Sequence, residues 1–221
     1  MGNEKETKNN IQFRYDSDTK TLFLRGSGPI KDFAIIDSLY SDETDIIDFQ
    51  PDDYADYQKM DSDIKYLITP WASVEFTSLV IEEGITVIGA SAFFHCYNLE
   101  TVTLPRGLKK IRPFAFRACK SIKKVIMPPE AITIERAAFE NCANLETVEL
   151  PSGSFVNHEA FKNCPKLKKI FFDGQVEVDA GAFDNIDIIK DDNTTITEGG
   201  ETGYGTSLVL TKLNKEKWYN I

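Results

Sequence analysis

The sequence predicts a parallel β-solenoid capped at both ends, and three observations carry that prediction. The phrase Ala-Phe-x-x-Cys occurs at Ala92-Phe93-Cys96, Ala115-Phe116-Cys119, Ala138-Phe139-Cys142 and Ala160-Phe161-Cys164, and a fifth copy, Ala182-Phe183, has Ile186 in the cysteine slot. Its phenylalanines step by 23, 23, 22 and 22 residues. A constant step in this range marks stacked coils, none of which can bury its apolar side without its neighbours. After each cysteine comes a second phrase: Leu99-x-x-Val102-x-Leu104, Ile122-x-x-Val125-x-Met127, Leu145-x-x-Val148-x-Leu150 and Leu167-x-x-Ile170-x-Phe172. Its alternation with period two is that of a half-buried strand. Proline or a Gly-bearing turn (Gly84, Gly107, Gly153, Gly174) then ends each strand.

The elements follow in order. Residues 1–10 read as a polar, disordered leader without the apolar segment of a signal peptide. Two strands, 13–15 and 21–24, flank the turn at 16–20 and open an N-terminal β cap over 11–73, interrupted by an acidic insertion at 32–63. Residues 74–186 form the solenoid, with strand stacked on strand. The Ala-Phe-x-x-Cys phrase is expected to make a short helical turn, with Phe inside and Ala admitting the neighbouring backbone. Residues 187–221 read as a polar loop, including Gly199-Gly200, followed by a C-terminal cap or linker with a strand at 207–210 and an aromatic closure at Trp218-Tyr219. Such covers protect the open edges of a sheet.

The stretch 81–105, Ile-Glu-Glu-Gly-Ile-Thr-x-Ile-Gly-x-x-Ala-Phe-x-x-Cys-x-x-Leu-x-x-Val-x-Leu-Pro, closely resembles the BspA-like leucine-rich repeat family. The resemblance covers 74–186, and the N-terminal piece is similar to the cap that often precedes such repeats. It implies a leucine-rich repeat solenoid with a non-enzymatic binding or adhesion role, in a family found in bacterial surface and secreted proteins and in some protozoa.

Cysteines at steps of 23, 23 and 22 stand one per coil, in a row rather than a tetrahedron. They read as a buried ladder of small hydrophobes, and Ile186 keeps the packing where it could not keep a metal ligand. His95 and His158 do not recur between copies and read as turn residues. Phosphate-binding loops, nucleophile elbows and zinc-protease motifs are all missing from the sequence. The expectation is therefore a chain with no catalytic residues, no cofactor and no metal.

The solvent face of the sheet supplies the candidate binding residues. One column reads Val80, Thr103, Ile126, Glu149, Phe171; beside it stand Lys123, Lys124, Lys168 and Lys169. Glu100, Lys123, Glu146 and Lys168 alternate in sign, and mutual neutralisation is the expected role of that column. A second candidate is an anion-binding coil formed by Arg106, Lys109, Lys110, Arg112, Arg117 and Lys120, since residues 106–124 hold no acid. By contrast, the segment 32–63 carries a formal charge of −10, equal to that of the whole chain. It reads as a solvated loop able to compete for the basic coil, and the overall acidity argues against nucleic acid.

The function expected is recognition of a protein, a host or extracellular-matrix component, or a glycan, as in a cell-surface adhesin. The alternative is a structural module of a longer surface protein whose partner is another domain or subunit. The expected location is extracellular or cell-surface, with a cytoplasmic one as the alternative. No apolar run reaches the ~20 residues of a membrane span.

Overall fold

The computed structural model describes residues 11–33, 69–71, 74–172, 174–179, 181–184, 194–203 and 205–212. The leader 1–10, most of the acidic insertion, Ile186, Trp218 and Tyr219 lie outside them.

The chain enters through an antiparallel hairpin of β1 (Gln12–Asp16) and β2 (Thr21–Arg25). Its turn is fixed by the Asp16 carboxylate, which accepts the backbone N–H groups of Asp18 and Thr19 at 3.1 and 3.2 Å. β2 then pairs in parallel with β4 (Ser78–Ile81), and β3 (Gly28–Pro29) in parallel with β5 (Ile85–Ile88). The N-terminal segment is thus hydrogen-bonded to the first Ala-Phe coil as one more coil. Gly89 makes room for it, because a Cβ there would collide with the Lys31 carbonyl.

Two sheets run along the stack. The back sheet is continuous: β3, β5, β7 (Lys110–Ile111), β9 (Thr133–Ile134), β11 (Phe155–Val156) and β13 (Gln175–Val178). In the front sheet, β1, β2, β4 and β6 (Thr101–Thr103) form one ladder, and β8 (Lys124–Ile126), β10 (Thr147–Leu150) and β12 (Lys169–Phe172) form another. Between β6 and β8 the ladder is interrupted. Inward residues Leu79, Val125 and Val148 are buried almost completely, as the period-two pattern requires.

The third side, carrying the Ala-Phe phrase, corrects the expectation of a helical turn. Among the described residues there is no helix. A left-handed residue stands two places before each phenylalanine (Ser91, Phe114, Ala137, Glu159 and Gly181), and a second stands two places after the first four (His95, Ala118, Asn141 and Asn163). This backbone aims alternate amide groups along the stack, while those between them close i→i+3 turns within the coil. The Phe93, Phe116, Phe139 and Phe161 N–H groups each donate to the alanine carbonyl of the next coil at 2.8 Å. A helix would have spent those donors within the coil. Left-handed non-glycine residues are unfavourable individually, and the inter-coil ladder offsets that strain.

Behind this ladder the rings stack. Phe93, Phe116, Phe139, Phe161 and Phe183 follow one another at centroid separations of 5.1, 5.1, 5.3 and 5.2 Å, with interplanar angles of 13° or less. Trp71 begins the series 5.3 Å from Phe93, and its indole N–H donates to the Ala92 carbonyl at 2.9 Å. The indole therefore supplies both the ring and the donor that phenylalanine and its amide supply elsewhere.

At the far end β15 (Gly205–Lys212) pairs antiparallel with β13, and β14 (Thr194–Thr202) pairs with β15. The polar loop expected through Gly199-Gly200 is here a strand. The run of Thr194, Thr195, Ile196 and Thr197 is β-branched, and at Gly199 a Cβ would collide with the Ser207 hydroxyl.

Candidate functional site

Parallel pairing in register places the outward residues of the front sheet in columns. Phe23 pairs with Val80, Val80 with Thr103, and Ile126 with Glu149, which pairs with Phe171. The predicted column of Val80, Thr103, Ile126, Glu149 and Phe171 therefore exists, broken only by the β6/β8 interruption. Ile126 is 56% exposed and Phe171 40%, although both are large and apolar. Val80 is half-buried and Thr103 exposed. Lys123, Lys124, Lys168 and Lys169 are all exposed on the same side.

The charges on this face pair differently from the expectation. Lys124 reaches diagonally to Glu149 at 2.6 Å, and the Lys169 ammonium lies 4.6 Å over the Phe171 ring. Among the described residues, Glu100, Lys123, Glu146 and Lys168 make no ion pair with one another. They are exposed, and water screens them better than long side chains held rigid would. Two apolar side chains rimmed by lysines form a surface suited to an apolar ligand with acidic neighbours.

The predicted anion-binding coil is largely neutralised. Lys110 pairs with Glu135 at 3.0 Å and Arg117 with Glu140 at 2.7 Å. Arg112 meets Asp32 at 2.6 Å and Glu135 at 3.9 Å. Lys120 lies 4.9 Å over the Tyr97 ring. Arg106 and Lys109 extend into solvent. The physical reason is the repeat itself: an acid 23 residues further on stands directly above Arg112 and Arg117, whereas Arg106 has Pro129 at that step. Scanning the sequence for opposite charges at the repeat step would have found Arg112–Glu135, Arg117–Glu140 and Arg136–Glu159. Asp32, the first acid of the insertion, does engage the basic coil; residues 34–63 lie outside the described residues.

The cysteine row is present, with one departure. Cys119, Cys142 and Cys164 are buried, and each thiol donates to a phenylalanine carbonyl of the preceding coil: Phe93, Phe116 and Phe139, at 3.2, 3.3 and 3.2 Å. Burial pushes the thiols of Cys119 and Cys142 well above the ordinary value. Cys96, expected inside like the rest, is only half-buried, because the coil before it is the irregular N-terminal one.

The repeats match a known family. The sequence matches a BspA type leucine rich repeat region, in six copies, over residues 71–190. Among curated proteins nothing matches. A leucine rich repeat protein of T. pallidum is 20% identical, with 73% of this chain and 78% of that one covered and a TM-score of 0.38. One from Eubacterium ventriosum is 17% identical, over 78% of this chain and 42% of that one, at a TM-score of 0.42. A leucine rich cell surface protein from Faecalibacterium prausnitzii is also 17% identical, over 75% and 54%, at a TM-score of 0.26. Since the repeat match spans more than half of its residues, the chain belongs to the BspA type leucine-rich repeat family.

Proposed function

We propose that the chain is a non-enzymatic recognition module, acting outside the cell or on its surface, that binds a protein partner through the front sheet. Residues 74–186 carry the recognition surface, with 11–73 and 187–221 closing its two ends. The observation behind this reading is the exposure of Ile126 and Phe171 on a regular sheet whose other large apolar residues are nearly all inside. Exposed apolar groups ringed by charge mark interaction sites. The alternative, a structural module whose partner is another domain or subunit of a longer protein, would set that partner against the same two side chains. The basic coil is not part of the reading, because Lys110, Arg112 and Arg117 are committed to acids of the same stack.

A photo-crosslinking residue placed at position 126 or 171 tests this, with position 133 on the back sheet as control. Cell-surface extract should yield a discrete adduct from the two front positions only. Equal labelling from front and back would contradict the assignment.

A further inference from the structure

The corner where the N-terminal coil meets the first two Ala-Phe coils holds two adjoining cavities. One, of about 250 Å³, is lined by Lys20, Glu75, Thr77, Asn98, Glu100 and Ser121. The other, of about 170 Å³, shares Glu75 and Asn98 with it and is walled by Tyr97, His95 and Phe94. Sharing Glu75 and Asn98, the two adjoin along one open groove. This groove is distinct from the Ile126/Phe171 surface.

Three observations restrict what the groove can hold. The side chains of the larger cavity are polar and uncommitted: none of the six makes a side-chain hydrogen bond or ion pair within the described residues, whereas Trp71, Val74, Phe76 and Phe94 give the smaller one apolar walls. The structure fixes their backbone instead. The Tyr15 hydroxyl donates to the Glu75 carbonyl at 2.8 Å, and the Thr77 amide donates to the Lys20 carbonyl at 2.9 Å. Charge is mixed: Glu75 and Glu100 line the larger cavity beside Lys20, and the Lys120 ammonium lies over the Tyr97 ring of the adjoining wall, so neither an anion nor a bare cation is favoured. The remaining wall is aromatic: His95 stacks on Phe94 and Tyr97, and Tyr97 is 39% exposed. Its imidazole is held neutral, with a pKa lowered to about 4 by burial and by the nearby Arg117 and Lys120 charges.

We propose that this groove binds a neutral saccharide. Hydroxyl groups would be taken by the Glu75 and Glu100 carboxylates, the Asn98 amide and the Ser121 hydroxyl. A sugar's apolar C–H face would lie against Tyr97, with Lys120 swinging off that ring. A small apolar ligand would leave the Glu75, Asn98, Glu100 and Ser121 side chains without partners, and a metal ion would find no converging set of three donors among the described residues.

Saturation-transfer NMR on the full chain tests this with four neutral disaccharides: cellobiose, lactose, mannobiose and N,N′-diacetylchitobiose. Each is used at ~10 mM, which reaches millimolar affinities. At least one should receive magnetisation, and the double substitution Glu75→Gln, Asn98→Ala should weaken binding about tenfold or more. An unchanged melting temperature would show that the variant is folded; should it not fold, Ser121→Ala replaces it with the same expectation of weakening. Absence of transfer to all four sugars, or unaltered transfer in the folded variant, overturns the proposal. The Ile126 and Phe171 crosslinks are independent of either outcome.

Discussion

At the scale of the residue, the thiols show how position in the stack sets chemistry. Cys119, Cys142 and Cys164 are enclosed, with thiols given to neighbouring carbonyls, whereas Cys96 borders the open groove. Under native conditions a thiol reagent should therefore modify one cysteine quickly and the other three only as the chain unfolds. Mass spectrometry of the labelled peptides checks this; rapid labelling of Cys142 would contradict it. Asp179, 2% exposed, accepts the His158 amide at 3.2 Å, yet burial raises its pKa above the usual carboxylate value. The folded state therefore holds this proton more tightly than the unfolded state. Between pH ~4 and the raised value, Asp179 makes stability fall as pH rises. Asp179→Asn should accordingly stabilise the protein at pH 7, with the gain shrinking towards pH 4, as denaturant melts at the two pH values would show.

At the scale of the element, the ring stack and the amide ladder are one device, repeated. Phe116 and Phe139 are sandwiched on both sides and fully buried. Replacing either with Ala should cost ~3–5 kcal/mol. Phe183 has a ring on one described side and should cost less. Trp71→Phe keeps the ring and removes the donor to Ala92, so it should cost ~1 kcal/mol. Urea melts of the four variants give the comparison; a Trp71→Phe loss as large as that of Phe116→Ala would mean that the hydrogen bond is not the indole's main role. The strands and the stack were legible in the sequence because spacing and alternation report burial directly. The turn was not, because Ala-Phe-x-x-Cys is as compatible with a helical turn as with paired left-handed residues. Non-glycine residues carry no mark of positive φ, and only Asn141, Asn163 and Gly181 hinted at it.

At the scale of the whole molecule, charge is arranged by the repeat step rather than by segment. The run of cations at 106–124 suggested a local patch when read along the chain, yet in three dimensions Arg112 and Arg117 face acids of the next coil. Arg117 and Glu140 are 11% and 12% exposed, a pair nearly withdrawn from solvent. Arg117→Ala should therefore destabilise by ~3 kcal/mol through the unpaired carboxylate, and the swap Arg117→Glu, Glu140→Arg should recover much of that loss. A swap no better than the single variant in a double-mutant cycle would assign the loss to packing against Phe94 and Phe114. The front column of Ile126 and Phe171 was readable because outward positions follow from period two. The groove at Glu75 and Asn98 was not, since its residues come from different coils and share no motif.

The central claim is that the coils are joined along the stack by the amides of the Ala-Phe turns. Native-state hydrogen exchange of the Phe93, Phe116, Phe139 and Phe161 amides tests it most directly. The account predicts that Phe116 and Phe139 exchange only through global unfolding, with protection decreasing towards both ends of the stack. Exchange of these two amides at the rate of an open loop would contradict it.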